Sequence, residues 1–142
     1  MAFRLSVQKQ TEHRALMARS NVLIVDDDPA DLVYYRTVLQ RAGCSVVTCS
    51  TYDDALECLR AEQFDLVVLS QGGPSFEGRR VLEKSIELDP GNQVLVVARV
   101  LNMSCYLEAM QLGARDYLEE PVPERDLVRA VETCLATGAI AA

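Results

Sequence analysis

Five side chains directly follow short apolar runs, and their types could bind a metal ion or a phosphoryl group. They are Asp26, Asp27, Ser70, Arg99 and Glu120. Carboxylate oxygens are preferred ligands of Mg²⁺, whereas a serine hydroxyl becomes a nucleophile only when a base activates it. The sequence therefore contains the parts of a cation site and of a phosphate site, provided that a fold brings them together.

A parallel sheet would do so, because β-branched runs alternate with stretches of helical period from residue 21 onward. The predicted strands are residues 22–25, 45–49, 66–69, 94–98 and 115–118. Several are apolar on both faces, which is typical of strands covered by helices on both sides. We predict an α/β fold with a doubly wound, five-stranded, flavodoxin-like (βα)5 sheet in the order 2-1-3-4-5. Such sheets bind ligands at the carboxyl ends of their strands, where these side chains lie.

The first predicted helix has the clearest start signal. Asp28 is a suitable N-cap, Pro29 suits the first helical position, and Asp31 complements the helix dipole in the first turn. Tyr35 belongs to the apolar stripe that follows at helical spacing. We divide the chain into an N-terminal extension (1–20), one domain (21–137) and a C-terminal tail (138–142). The extension could be an additional helix, but a solvated tail is the preferred interpretation.

Composition excludes several classes of function. The 142-residue chain is 49% hydrophobic and 25% charged, which is typical of a globular domain. Residues 21–142 carry twenty acidic and ten basic side chains, so direct nucleic-acid binding is not expected. Apolar runs are far shorter than the roughly 18 residues of a membrane span, and residues 1–20 are not expected to be a secretory signal. We expect a cytoplasmic protein whose five cysteines are buried apolar residues.

Three segments, taken in order and at their spacing, resemble the response-regulator receiver family of two-component signalling. They are Val-Leu-Ile-Val-Asp-Asp-Asp at 22–28, Asp-Leu-Val-Val-Leu at 65–69, and Leu-Gly-Ala-Arg-Asp-Tyr-Leu-Glu-Glu-Pro at 112–121. The resemblance covers residues 21–137. It implies that Asp26 and Asp27 are the metal-binding acidic pair and that Tyr117 is the switch aromatic. In the loop after the third strand it assigns Pro74 and Gly78, and Gly72 of the same loop is a candidate for a carbonyl ligand to the metal.

The sequence departs from the family at three positions. Ser70 stands where the family has its phosphoacceptor Asp, Ala98 where it has Ser or Thr, and Glu120 where it has Lys. Phosphoryl transfer needs a carboxylate nucleophile, a divalent cation, and groups that neutralise the phosphoryl oxygens. We therefore expect an atypical receiver, or pseudo-receiver, that is not an enzyme and signals independently of phosphorylation. Mg²⁺ binding by Asp26 and Asp27 is expected to be weakened.

The acidic residues at the predicted sheet edge leave other functions open besides a pseudo-receiver. Phosphate could be accepted by a displaced aspartate such as Asp27, or Asp26, Asp27 and Glu120 could form a divalent-metal site or hydrolase centre. Arg99 could instead lean over these three carboxylates as their charge partner. A further option is that Glu120 turns outward into water.

We expect this domain to contact a signalling protein, either a histidine kinase or an output domain or protein. The resemblance implies a face formed by the fourth helix, fifth strand and fifth helix of the five βα units, which could also form a homodimer. Its residues include Tyr106, Leu107, Met110, Tyr117, Val128 and Arg129. Leu107 and Val128 are expected to pack in the core.

Overall fold

The protein, described by a computed structural model over residues 2–141, contains five strands and six helices in that range. The strands are β1 (Asn21–Val25), β2 (Ser45–Cys49), β3 (Leu66–Ser70), β4 (Gln93–Ala98) and β5 (Asp116–Glu119). The helices are α1 (Ala2–Ala18), α2 (Pro29–Arg41), α3 (Tyr52–Ala61), α4 (Arg79–Leu88), α5 (Met103–Gln111) and α6 (Glu124–Ala141). The strands are parallel in the order β2-β1-β3-β4-β5, so the predicted doubly wound fold is confirmed.

Two hydrophobic cores cover the sheet. One joins β-strand residues to α3, α4 and α5, and the other joins them to α2, α6 and the end of α1. The central strands β3 and β4 are buried along their whole length, as their two-sided apolar sequences predict. The carboxyl ends of β1, β3, β4 and β5 therefore form one rigid edge on which polar side chains are held.

The start of α2 follows the predicted capping signals. The Asp28 carboxylate accepts hydrogen bonds from the backbone N–H groups of Ala30 and Asp31, and Pro29 occupies the first turn. These contacts satisfy N–H groups that a helix end otherwise leaves unpaired. The cap thereby fixes the direction in which α2 leaves the sheet edge.

The N-terminal extension contains a helix that packs on the domain, so its interpretation as a solvated tail was wrong. Met17 is fully buried beside Cys44, and His13 lies 3.4 Å from Glu132 on α6. Helical period in this segment is weak, so the helix is held on the domain by tertiary contacts such as those of His13 and Met17. Burial of Met17 makes α1 part of the second core.

The predicted C-terminal tail also differs from the structure, because α6 continues to Ala141. Ala142 lies outside the described residues. The five cysteines are free thiols, four of them buried and Cys58 half-buried. In the described part of the chain, none of the helices is apolar over a length that would cross a bilayer.

Candidate functional site

The candidate site lies at the carboxyl ends of the central strands. Ser70 and Ala98 are the last residues of β3 and β4, and Asp26 and Glu120 follow β1 and β5. The backbone N–H of Glu120 donates a 2.7 Å hydrogen bond to the carbonyl of Ala98, which ties these positions together. A cleft of about 470 Å³ lies over Ser70, and its other lining residues include Asp27, Tyr52, Gly72, Pro74, Glu77, Arg99 and Val100.

Ser70 is buried and is held within the loop that follows it. Its hydroxyl oxygen accepts a 3.3 Å hydrogen bond from the N–H of Gly72, and its carbonyl accepts one of 3.1 Å from the Tyr52 hydroxyl. Gly72 has a φ of +84°, which favours glycine. A Cβ atom at Gly78 would overlap the Ser70 carbonyl oxygen. The two glycines therefore let the loop fold tightly over β3.

Three carboxylates converge beside β1, and they are not the three that the sequence suggested. One oxygen from each of Asp26, Asp31 and Glu120 lies within 4.8 Å of the others. Asp27, the second member of the predicted acidic pair, is outside this group, and its side chain is 62% exposed. Asp31 was missed because its position in the first turn of α2 already had an explanation in the helix dipole. The sequence feature that could have identified Asp31 is its position one turn into the helix that follows Asp26.

Glu120 turns inward rather than outward into water. Its Oε2 accepts a 2.7 Å hydrogen bond from the hydroxyl of Tyr35, which is buried on α2. Sequence analysis assigned Tyr35 only to an apolar stripe, since a ring at helical spacing does not reveal where its hydroxyl points. This bond holds the Glu120 carboxylate among the carboxylates at the start of α2.

Burial and mutual repulsion disfavour the charged forms of these carboxylates. Burial, with smaller effects from Asp31, Glu120 and Asp27, raises the pKa of Asp26 to about 7, although the N–H of Asp28 donates to it. Burial also raises the pKa of Glu120, and the Tyr35 hydrogen bond opposes this rise. Carboxylates crowded in this way bind a proton or a cation more readily than isolated ones.

Arg99 neutralises the outer carboxylates rather than the buried ones. The prediction named Asp26, Asp27 and Glu120 as its partners. In the structure its guanidinium lies 3.6 Å from Asp27, 3.3 Å from Asp28 and 3.9 Å from Asp31. The predicted pairing with Asp26 and Glu120 does not occur within 4.0 Å, because both carboxylates are directed into the protein beneath it.

The residues of the predicted Mg²⁺ site do not fit a cation held by Asp26 and Asp27 beside Ser70. The Asp27 carboxylate faces Arg99, and the Ser70 hydroxyl faces the N–H of Gly72. Asp26 Oδ2 and Glu120 Oε1 are buried and have no hydrogen-bond donor within residues 2–141. Asp26 and Glu120, which hold these oxygens, are grouped with Asp31 and not with Asp27.

Tyr117 is buried and connects β5 with the loop after β3. Its hydroxyl donates to Oε1 of Gln71, the residue after Ser70, and accepts a 3.3 Å hydrogen bond from the N–H of Asn102. Its ring packs edge-on against Tyr106 of α5, with 5.5 Å between the ring centres. Tyr117, which the resemblance assigns as the switch aromatic, therefore contacts the Ser70 loop through Gln71, although Ala98 has no hydroxyl.

Comparisons with known proteins support the predicted family and fold. The sequence profile described as Response regulator receiver domain matches residues 22–132. The transcriptional regulatory protein ZraR of Escherichia coli K12 is 29% identical over 116 residues, which are 82% of this chain and 26% of that protein. The sensor histidine kinase GacS of Pseudomonas protegens is 31% identical over 115 residues, which are 78% of this chain and 12% of that protein. The chain thus spans about a quarter or less of these relatives.

Among solved structures, a CheY-like response regulator receiver domain protein from Methanospirillum hungatei superimposes with a TM-score of 0.81. The match has 28% sequence identity and covers 87% of this chain and 98% of that one. The fold and the position of the sheet edge are therefore shared with this protein along most of the chain.

Proposed function

Because the chain belongs to the response regulator receiver family of two-component signalling, we propose that it is a pseudo-receiver, which signals by protein contact without accepting phosphate at Ser70. One observation carries this proposal. The position of the family's acceptor Asp holds Ser70, whose hydroxyl is neutral, and the position of the family's Lys holds Glu120, whose carboxylate points inward.

The chemistry of Ser70 supports the proposal. A serine must lose its proton to attack phosphorus, so it needs a neighbouring base. The single histidine of the chain, His13, contacts Glu132 on α6 and belongs to the N-terminal helix. Ser70 itself contacts the backbone of Gly72. The same lack of a nucleophile–base pair argues against a hydrolase, and we propose that the domain is not an enzyme.

The charges around the cleft support it as well. The cleft over Ser70 is lined by the acidic side chains of Asp27 and Glu77, and Arg99 in the same lining is already paired with Asp27 and Asp28. One like-charge contact at about 4 Å costs on the order of 4 kcal/mol at an effective dielectric constant near 20. A penalty of that size would suppress phosphoryl transfer even if a nucleophile were available.

Asp27 remains the alternative acceptor, because its side chain is exposed at the edge of the cleft. Incubation with acetyl phosphate and Mg²⁺, followed by intact mass measurement, tests both ideas. We expect no adduct in the wild-type chain, while a receiver with an intact acceptor Asp, treated in parallel, gains one phosphate. A wild-type adduct that disappears in Asp27→Asn would establish the displaced acceptor and overturn the proposal.

We propose that the protein contact uses the face formed by α5, β5 and α6. Contrary to the expected core position, Leu107 is 51% exposed. Three further apolar residues at and just before the start of α5 are also exposed, namely Val100, Leu101 and Met103. Tyr106 connects this face with Tyr117 and so with the Ser70 loop. Receiver domains contact histidine kinases and output domains, and either class of partner, or a second copy, suits an apolar patch.

Sedimentation velocity of the wild-type chain and of Leu107→Glu tests the homodimer. A dimer that Leu107→Glu converts to monomer would place the second copy on this face. A monomeric wild type would leave a kinase or an output protein as the partner. Leu107→Glu should fold normally, because its side chain is half in solvent.

A further inference from the structure

Two cysteine thiols meet between the edge strand β2 and helix α3, at positions to which the receiver resemblance assigns no role. Sγ of Cys49, the last residue of β2, lies 3.2 Å from Sγ of Cys58 in the second half of α3. We propose that this pair is a redox modification site, at which a small-molecule disulfide such as oxidised glutathione converts the two thiols reversibly to a disulfide. The inference goes beyond the proposed function, because the bond forms independently of any phosphate at Ser70.

The fold holds the two sulfur atoms in this position. Cys49 is buried in the core that joins the sheet to α3, and Cys58 packs against the same core. Cys58 follows the buried Ala55 by three positions, so the two residues share the face of α3 that is turned to the sheet. An S–S bond is about 2.05 Å long, so the sulfur atoms need to approach each other by only about 1.2 Å.

The two thiols differ in their access to solvent, and this difference sets the order of reaction. Cys58 is half-buried, whereas Cys49 is buried. Burial, together with the neighbouring Cys58 thiol, raises the pKa of Cys49, so this thiol stays protonated. Cys58 is therefore the thiol that an external disulfide reaches first, and Cys49 is the thiol that closes the ring.

The reaction consists of two thiol–disulfide exchanges. Cys58 loses its proton to solvent, and its thiolate attacks one sulfur of oxidised glutathione, which forms a mixed disulfide and releases one glutathione thiolate. Cys49 then loses its proton to solvent and attacks the Cys58 sulfur, which releases the second glutathione thiolate. The two cysteines are oxidised by two electrons, and the oxidised glutathione is reduced to two thiols once its thiolates take up protons. Excess reduced glutathione reverses both steps, as is typical of redox-sensing disulfides in a reducing compartment.

The surroundings of the other cysteines set them apart from this pair. Sγ of Cys44 lies 3.9 Å from the thioether sulfur of Met17, which cannot form a disulfide. Sγ of Cys105 donates a 3.4 Å hydrogen bond to the carbonyl of Pro74. Cys134 is buried, as are the other two. An external oxidant therefore reaches these three thiols less readily than the half-buried member of the pair.

Helix α3 connects the pair with the candidate site. It begins at Tyr52, whose hydroxyl donates a hydrogen bond to the carbonyl of Ser70. The carbonyl of Cys49 in turn accepts a 3.2 Å hydrogen bond from the backbone N–H of Asp26. The disulfide closes the segment 49–58, so it restricts the movement of the helix that contacts the loop after β3.

Thiol counting on the whole chain tests the site. The protein is equilibrated with mixtures of reduced and oxidised glutathione, quenched with acid, alkylated with N-ethylmaleimide in urea and weighed by intact mass measurement. We expect five labels on the reduced chain, and three labels without bound glutathione on the oxidised chain. Dithiothreitol should restore five labels. Trypsin should release residues 42–60 with an internal disulfide and one label, on Cys44.

Three variants separate the roles of the thiols. Cys49→Ala should stop at the mixed disulfide between Cys58 and glutathione, because the ring-closing thiol is absent. Cys58→Ala should gain no glutathione, because its remaining thiols are buried. Cys44→Ala is the matched control, since it removes a buried cysteine beside the same strand and should still lose two labels on oxidation. Circular dichroism checks that each variant is folded.

Amide hydrogen exchange measures the effect of the bond on α3. Oxidation of the wild-type chain should slow exchange of the α3 amides by at least about tenfold, and the same treatment should leave Cys58→Ala unchanged. Unchanged α3 exchange in the oxidised wild-type chain would contradict the restriction of this helix.

Three results would overturn the modification site. The first is retention of all five labels by the wild-type chain in excess oxidised glutathione. The second is a loss of two labels that persists in Cys58→Ala, which would assign the disulfide to another pair. The third is a bond between two chains in place of one within the chain, seen as a covalent dimer on a non-reducing gel.

Discussion

The hydroxyl of Tyr35 donates a 2.7 Å hydrogen bond to Oε2 of Glu120, across 85 positions of sequence. This contact joins the middle of α2 to the end of β5 and holds the Glu120 carboxylate inside the sheet edge. Without it, the carboxylate could rotate into water and leave Asp26 and Asp31. The charge of the site therefore depends on a tyrosine whose ring is otherwise part of the core.

Tyr35→Phe tests this contact, since it deletes only the donor. We expect the free energy of unfolding to fall by about 1–3 kcal/mol, because a half-buried carboxylate loses its partner. Tyr34→Phe is the matched control: the residue is 38% exposed and its hydroxyl donates to the neutral carbonyl of Val122, so its loss should cost no more than about 1 kcal/mol. Urea denaturation measures both values. Equal losses would show that the Glu120 contact has no special role.

Asp26→Asn should change how stability depends on pH. Burial raises the pKa of Asp26 from 3.8 in the unfolded chain to about 7 in the folded one. Between these values the folded chain keeps a proton that the unfolded chain releases, so this group's contribution to stability is complete below about pH 4 and is lost as the pH rises through 7. In metal-free buffer, Asp26→Asn should exceed wild type by on the order of 2–4 kcal/mol at pH 8.

The same comparison made near pH 4 provides the internal control. There wild-type Asp26 is protonated in the folded state, so the advantage of Asp26→Asn should nearly vanish. Urea denaturation at a series of pH values measures the difference. An advantage that is constant across the series would mean that packing, rather than charge, accounts for it.

The fold could be predicted from the sequence because its signals are local. The two-sided apolar strands and the Asp28–Pro29 cap are each encoded within a few residues, and their order restricts the sheet to few topologies. The inward turn of Glu120 could not be predicted, since it depends on the Tyr35 hydroxyl reaching it from another element. Asp31 was overlooked for a different reason, since it lies only five residues after Asp26, but its place in the first turn of α2 already had an explanation in the helix dipole.

Met17→Ala tests the packing of α1, which the sequence also failed to predict. Met17 is fully buried between α1 and the second core, so its truncation should cost about 2–4 kcal/mol and release the helix. Val7→Ala lies on an exposed part of the same helix and should change stability by less than about 0.5 kcal/mol. Hydrogen exchange of the α1 amides distinguishes local release from global unfolding. Unchanged protection in Met17→Ala would mean that other contacts hold α1.

Gly78→Ala tests the close approach between the loop and β3. The φ of Gly78 is −74°, which alanine adopts easily, so the variant isolates the overlap between its Cβ and the Ser70 carbonyl oxygen. We expect a loss of about 1–3 kcal/mol from overpacking against backbone. Gly73→Ala is the control from the same loop, because its Cβ would meet only the Glu77 side chain at 3.3 Å. A larger loss in Gly73→Ala would contradict this explanation.

Ser70→Asp restores the acceptor carboxylate but should not restore phosphorylation, because Glu120 still puts a like charge, rather than a cation, at the position of the family's Lys. At an effective dielectric constant near 20, one such contact at about 4 Å costs on the order of 4 kcal/mol, or roughly a thousandfold in rate. The double variant with Glu120→Lys replaces that repulsion by attraction and should accept phosphate from acetyl phosphate at a measurable rate. Intact mass against time gives both rates, and Glu120→Lys alone shows whether any residue other than the introduced aspartate is labelled.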